Sequence, residues 1–532
     1  VTTRLPRSGR LATVAAALAI LCSVVYLTVS AAHFSFVSDE WALLVRRPGW
    51  SPASILDPFN EQLVALPALF YKTLQAAFGM TSIRPYFLLS MLLFALAAAA
   101  LYAYLRPRIG GWGAFLAILP LLFLGAAAED LFWAFQMGLF GGLAAGLAAL
   151  IALERGDRRA DIAACVLLVV GLACSSVGFA FIAAAAVGLA LGPRPRRGRA
   201  FVVAVPVLAY AVWYLGWGHE AHHQITMSNL EGLPGFLWNV AGGAVASLLG
   251  READSTGSAG EPALFFKLLA LALAVAVIVM VRRHGRLSRG MGVALTLALV
   301  YWVIIGLDHS PARPPVAERY QYPGALFLVL VMAELFVGVR LPRLGAIALA
   351  ALVAFAVLGG ITLLHREHSN WRDLGWSGRA ALAGVETAGP AVIPGYFIRS
   401  QGVDASYADY REAVEKFGSP AFDEAEVLAH GLLYAELADG SLVEAEGLSL
   451  EPAGPVVGVC RRVSGNVALP PGRWQLRDPT GRAVAVAVGR FAPTGVALGE
   501  VGTRRGASLT LPRDASPRAW RLVASGPLRV CR

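Results

Sequence analysis

The stretch FVSDEWALLVRRPGW, residues 36–50, decides how this chain is read. The run before it, residues 11–31, is apolar over the length a helix needs to cross a bilayer. The stretch then sets two adjacent carboxylates, Asp39 and Glu40, just beyond that helix. Ionisable groups at membrane depth are costly, so they pair, face water or serve function. The expected architecture is one helical membrane domain built behind this loop, with a soluble domain appended.

Composition agrees. Of 532 residues, 57% are hydrophobic and 15% charged, and the mean hydropathy is +0.61. A chain of this length and apolarity reads as a polytopic membrane protein. The net charge of +10 is carried mainly by arginines in short turns. There is no compact basic face with interleaved aromatics, so nucleic acid is not an expected partner. Arg4, Arg7 and Arg10 precede the first apolar run, and no small-residue cleavage site separates it from the acidic loop, so it is expected to be a retained helix.

Apolar runs at 11–31, 86–105, 112–128, 137–153, 200–217, 263–281, 291–306, 322–339 and 344–364 predict spanning helices. The run 160–191 is too long for one helix and is interrupted at Cys174–Ser176, so it predicts two. About eleven spans put every arginine-rich turn on one side, which the bias of basic residues makes cytoplasmic. These turns carry Arg106 and Arg108, Arg155 to Arg159, Arg194 to Arg199, Arg282 to Arg289, and Arg340 with Arg343. The first residues are then inside and the chain from about 365 outside. The run 233–249 would break this alternation and is expected to lie on the outer interface. The predicted domains are 1–364, the membrane domain with an external loop 32–82; 365–426, a mixed helical connector; and 427–532, a β-rich, sandwich-like domain of short strands split by turn signals. Cys22, Cys165 and Cys174 lie in apolar runs. Cys460 and Cys531 lie in the tail, where an outside location leaves pairing open.

Four constellations can carry chemistry. Asp39–Glu40 is either an interfacial helix cap or a solvated loop pair, or a general base or metal ligand facing an acceptor hydroxyl. Glu129–Asp130, in GAAAEDLFWAFQMG (125–138), is a second external acidic pair, with Trp133 and Gln136 beside it to stack on and hydrogen-bond a sugar. The bland reading is a polar hairpin cap with interfacial aromatics. The loop 307–320 carries Asp308, His309, Arg313, Arg319 and Tyr320. An outer arginine suits a phosphate, which its planar fork binds in bidentate fashion; pairing with Glu318 or lipid headgroups is the alternative. HEAHH, 219–223, matches a short zinc-peptidase pattern that needs a third ligand, and no pattern selects one. No nucleotide-binding glycine loop or nucleophile elbow is present.

The arrangement resembles the GT-C superfamily of polyprenyl-phosphate-sugar-dependent glycosyltransferases, as seen in little-characterised actinobacterial membrane proteins. A first span is followed by an acidic pair (SDEW, 38–41), then many spans and an external C-terminal domain, with NEQLVALPALFYK (60–72), GAAAEDLFWAFQMG and ERYQYPGAL (318–326) as local motifs. The resemblance covers residues 10–364. It implies transfer of a sugar from a polyprenyl-phosphate-linked donor to a cell-envelope acceptor outside a bacterial plasma membrane. Asp39 would be the base and Glu40 its support, Glu129 or Asp130 the second acidic element, and Arg319 with Tyr320 the holder of the carrier phosphate. An arginine or a divalent metal would stabilise the departing phosphate. Relatives often carry a histidine where this chain has Gln62. Competing readings are a non-catalytic envelope-assembly protein, a transporter of lipid-linked glycans and a zinc peptidase.

Overall fold

The computed structural model describes residues 7–192, 197–221, 225–252, 261–311, 313–454, 458–502 and 506–532. Helices come first: α1 Arg7–Ser30, α2 Glu40–Leu44, α3 Pro52–Leu56, α4 Ala65–Phe78, α5 Arg84–Leu122, α6 Ala128–Phe132, α7 Met137–Arg155, α8 Arg158–Cys174 and α9 Val177–Ala190. There follow α10 Phe201–Gly216, α11 Met227–Leu248, α12 Leu264–His284, α13 Arg289–Leu307, α14 Glu318–Leu335 and α15 Arg343–Ala388. The hairpin β1 Phe397–Ser400 and β2 Val403–Ser406 leads into α16 Tyr407–Phe417, α17 Glu424–Ala429 and α18 Leu432–Ala445. Strands end the chain: β3 Glu451–Pro452, β4 Cys460–Leu469, β5 Gly472–Arg477, β6 Val484–Gly489, β7 Val496–Val501, β8 Ala507–Leu511 and β9 Trp520–Cys531. The chain is thus mostly helical with a C-terminal β-rich domain.

Two compact units emerge: residues 1–32, 49–73 and 84–370, and residues 33–48, 74–83 and 371–532. The sequence put all of 32–82 with the membrane domain; its packing instead divides it between the two.

Six described helices or helical stretches are long and apolar enough to cross a bilayer: Gly9–His33, Arg84–Leu122, Ala134–Arg155, Leu264–His284, Arg289–Leu307 and Arg343–Ala391. Gly110, at φ 76°, breaks α5 into the two expected runs. Asp157 caps α8, accepting the Ala160 N–H at 2.9 Å, and Ser175 and Ser176 separate α8 from α9 as predicted. A helix therefore stands at each predicted run. Helix α12 buries only Lys267 and Val277, an apolar exterior that suits lipid. The chain is a membrane protein. Helix α11 packs against α12, α13 and α14, because Gly242, Gly243, Ala244 and Ala246 give it a thin, buried face.

In the second unit the β-rich part starts at Glu451 rather than 427. The segment before it is helical, with Ala435, Ala438, Leu442 and Ala445 buried at helical spacing. Strand order is β3-β8-β5-β9-β6-β7, with β4 paired to β9. Strand β9 changes partner along its length, pairing β6 through residues 521–524 and β5 through 529–531. The expected sandwich is therefore one antiparallel sheet whose halves share a strand. Its core is the alternate set Trp474, Leu476, Val486, Val488, Leu509, Leu511, Trp520, Leu522, Leu528 and Val530. Cys460 faces Cys531 in the β4–β9 register, and the two form a disulfide. The buried Asp439 of α18 accepts backbone N–H bonds from Arg490, Phe491 and Ala492 at 2.6–3.0 Å, fastening α18 to the turn after β6.

Candidate functional site

Between α5 and α7 the first unit has no long helix. The chain makes tight turns at Gly125–Ala127 and Ala134–Gln136 around the five-residue α6. Polar residues interrupt the apolar run here, and α6 carries Glu129 and Asp130. The backbone N–H of Glu129 donates to the Glu318 carboxylate at 2.9 Å. Arg319, next on α14, reaches Glu129 Oε1 at 3.8 Å and lies 5.9 Å from the Tyr320 ring centre. The structure thus brings together Glu129, Asp130, Arg319 and Tyr320. The alternative pairing of Arg319 with Glu318 gives way to one with Glu129.

Asp130 is fully buried, and neither carboxylate oxygen has a hydrogen-bond partner of ordinary geometry among the described residues. Burial, then the charge of Glu129, holds its pKa well above the usual range. The Tyr322 backbone N–H and Arg319 oppose this. Glu318 is pushed up to about 7, first by burial and then by Glu367 and Glu129, against the Glu129 N–H. Burial also raises the Tyr320 phenol, with Arg319 and Arg313 pulling it back.

Sequence reasoning left Glu61 and Gln62 without a structural role. Asn60 and Glu61 both have positive φ, 45° and 62°, in a turn closed by reciprocal backbone bonds of 3.0 Å between Phe59 and Gln62. Two such residues in succession store strain of the kind concentrated at functional sites. Glu61 reaches Arg313 at 3.5 Å, and Arg313 also pairs with Asp308. The Gln62 side chain accepts the Ser176 N–H at 3.4 Å, so the departure from the histidine pattern has a local use. The Phe59 ring meets Phe135 edge-on at 5.7 Å. The turns at 59–62, 125–136 and 175–176 and the 308–320 loop thereby meet at one end of the unit.

Three expected substrate contacts are placed differently. Trp133 is 5% exposed and lies on Phe135 at 5.1 Å, leaving little face for a sugar. Gln136 is likewise buried, at the start of α7. His309 turns toward Phe236 of α11, at 5.5 Å between ring centres, with Nδ1 2.9 Å from the Gly306 carbonyl. Apolar neighbours on α11 hold it there rather than among the acids.

Asp39 and Glu40 belong to the second unit. They are inequivalent, as adjacent residues on a regular backbone must be. Glu40 is fully buried and accepts the Val37 N–H at 2.8 Å, stapling its own loop. Asp39 is half-buried at the N-cap of α2, and its side chain makes no capping bond to the helix. Trp41 packs edge-on against Phe36 and Tyr410 and anchors the stretch. In HEAHH, His222 and His223 lie outside the described residues; among those described, no group of three residues suited to a metal forms.

No protein-family profile and no curated protein matches the chain. Among solved structures, the archaeal oligosaccharyltransferase AglB from Archaeoglobus fulgidus, in complex with an inhibitory peptide and a dolichol-phosphate, is similar at 12% identity. The likeness covers 87% of this chain and 73% of that one, with a TM-score of 0.39. At that score it carries no argument about this chain.

Proposed function

We propose that the chain is a GT-C-type membrane glycosyltransferase, moving a sugar from a polyprenyl-phosphate carrier to a cell-envelope acceptor on the outer face. The observation that carries the reading is the rim of the first unit. Asp130 is fully buried beside Glu129 with its carboxyl held above the usual range, and Arg319 stands 3.8 Å from Glu129 Oε1, next to Tyr320. A half-buried guanidinium in an acidic setting at the end of a membrane helix is suited to a phosphate, which its planar fork grips with two parallel bonds. Arg313, shared between Glu61 and Asp308, supplies a second positive charge to the same rim.

In the reaction the acceptor hydroxyl oxygen attacks the anomeric carbon. The bond from that carbon to the phosphate oxygen breaks, and the phosphate leaves with the electron pair, needing little acid because it is already anionic. A base takes the hydroxyl proton. The resemblance assigns that base to Asp39, with Glu40 holding its loop. A divalent metal at the departing phosphate is compatible with this chemistry.

The test is transfer from a labelled polyprenyl-phosphate sugar by purified protein. Asp39→Asn, which keeps size and removes the base, is expected to lower transfer by about 100-fold or more while leaving donor binding intact. Arg319→Lys keeps the charge but not the fork, so it should weaken donor binding. Near-normal transfer in Asp39→Asn removes Asp39 from catalysis. Donor binding without transfer in the unmodified chain would favour a non-catalytic assembly protein.

A further inference from the structure

A second polar site lies at the other end of the same helices. Helix α7 has 19 residues, Met137–Arg155, so Glu154 stands about 25–27 Å from the acidic rim at 1.5 Å per residue. There the first unit contains a cavity of about 170 Å³ whose lining includes Tyr104, Arg108, Leu150, Glu154, Arg289 and Val293.

The charges in this cavity are unevenly satisfied. Arg108 is bonded through all three of its nitrogens. Its Nε donates to Glu334 at 2.9 Å, Nη1 donates to the Tyr104 carbonyl at 2.6 Å, and Nη2 pairs with Glu154. Its plane lies 3.6 Å over the Tyr104 ring. One cation thus serves two carboxylates, of which Glu154 is the more open, at 39% side-chain exposure. Arg289 is half-buried and has no ion pair among the described residues. Its guanidinium runs past Gly188, with Nε 3.7 Å from where a Cβ would sit, and a Cβ on Gly290 would overlap both Glu334 oxygens. Absent side chains therefore make the room: Gly188 for the arginine, Gly290 for the glutamate.

We infer that this cavity binds a zwitterionic phosphate–ammonium group, the phosphate on Arg289 and the ammonium on Glu154. A lone cation at one wall and a carboxylate sharing its only partner at the other are complementary to both halves of such a group. Neither a simple anion nor a simple cation would complete both. Leu150, Val293 and Ala185 form apolar walls beside the charges, suited to the glycerol and first methylenes of an ethanolamine phospholipid. Free phosphoethanolamine has the same polar chemistry without that apolar part.

The experiment uses the full-length protein in detergent, stripped of lipid, and follows thermal unfolding during titration. The probes are phosphatidylethanolamine, phosphatidylglycerol, phosphoethanolamine and inorganic phosphate. Phosphatidylethanolamine is expected to raise the midpoint at the lowest concentration. Arg289→Gln is expected to weaken that half-saturation by roughly tenfold or more, the scale of one lost bond to a charged group. Gly188→Leu, which fills the cavity, should abolish the shift. Arg286→Gln, an exposed arginine on the preceding turn, should leave it unchanged. An equal response to phosphoethanolamine supports the site and assigns it to a soluble ligand. Equal responses to phosphatidylethanolamine, phosphatidylglycerol and inorganic phosphate overturn the ammonium half. An Arg289→Gln response like that of the unmodified chain overturns the proposal, whether or not Gly188→Leu folds.

Discussion

The two ends of α14 carry similar residues in opposite states. At one end Glu334 is half of a saturated clamp, with Arg108 bonded through Nε, Nη1 and Nη2. At the other, burial pushes Glu318 up to about 7, neither Asp130 carboxylate oxygen has a hydrogen-bond partner of ordinary geometry among the described residues, and Arg319 stands 3.8 Å from Glu129. Buried charges are retained either because a network satisfies them or because a ligand will. The clamp holds α5, α7 and α14 together, whereas the rim keeps its charges under less complete satisfaction.

The sharpest way to break this contrast is to remove one arginine from each end. Arg108→Ala strands two carboxylates in a confined setting and should cost about 3–5 kcal/mol in thermal or denaturant unfolding. Arg319 is 37% exposed, so its alanine variant should cost no more than about 1 kcal/mol while donor binding collapses. Equal losses of stability at the two ends would erase the distinction.

A smaller effect, of opposite sign, is expected from Asp130→Asn. The folded chain holds the Asp130 pKa above its unfolded value, so the folded state binds the extra proton and stability falls as pH rises beyond the ordinary carboxylate range. The amide has no such loss. At pH 7 the variant should be more stable by about 1 kcal/mol or more, the worth of one pKa unit, with the advantage fading toward pH 4 and transfer reduced. A variant less stable than the original at pH 7 would mean the carboxylate is satisfied after all.

A second pH-dependent effect belongs to Glu318→Gln. Burial pushes its folded pKa up to about 7, above the ordinary glutamate value. The same linkage makes stability decline from about pH 4.5 to 7 and level off above. Glutamine still accepts the Glu129 N–H, so it should flatten that window and leave the rest of the pH profile in place. An unchanged slope on unfolding at several pH values would place the titration elsewhere.

The helices were legible because twenty apolar residues in a row have few other stable uses, and the acidic turn because charges interrupt such a run visibly. The partners were not. Glu61 meets Arg313 across 252 positions of chain, a pairing no local pattern signals. His309 shared a loop with Arg319, yet apolar contacts on α11 claimed it. Trp133 had the right type for sugar stacking, but type does not reveal that Phe135 covers it. Within Asp39–Glu40 the inequivalence was readable from backbone alternation, whereas which of the two is buried depended on the Val37 N–H. The start of the β-rich part was misplaced because LLYAELADGSLVEA (432–445) holds its helical period in small alanines, a weak signal beside the strands that follow.

The bond between Cys460 and Cys531 ties the first residue of β4 to the last of β9 across 71 positions. Everything between them is a closed ring. A protease that cuts any exposed turn inside it opens the ring without releasing a piece, so the domain should migrate as one species under non-reducing electrophoresis and separate into fragments only when thiol is added. Such a domain can survive a nick with its sheet still paired.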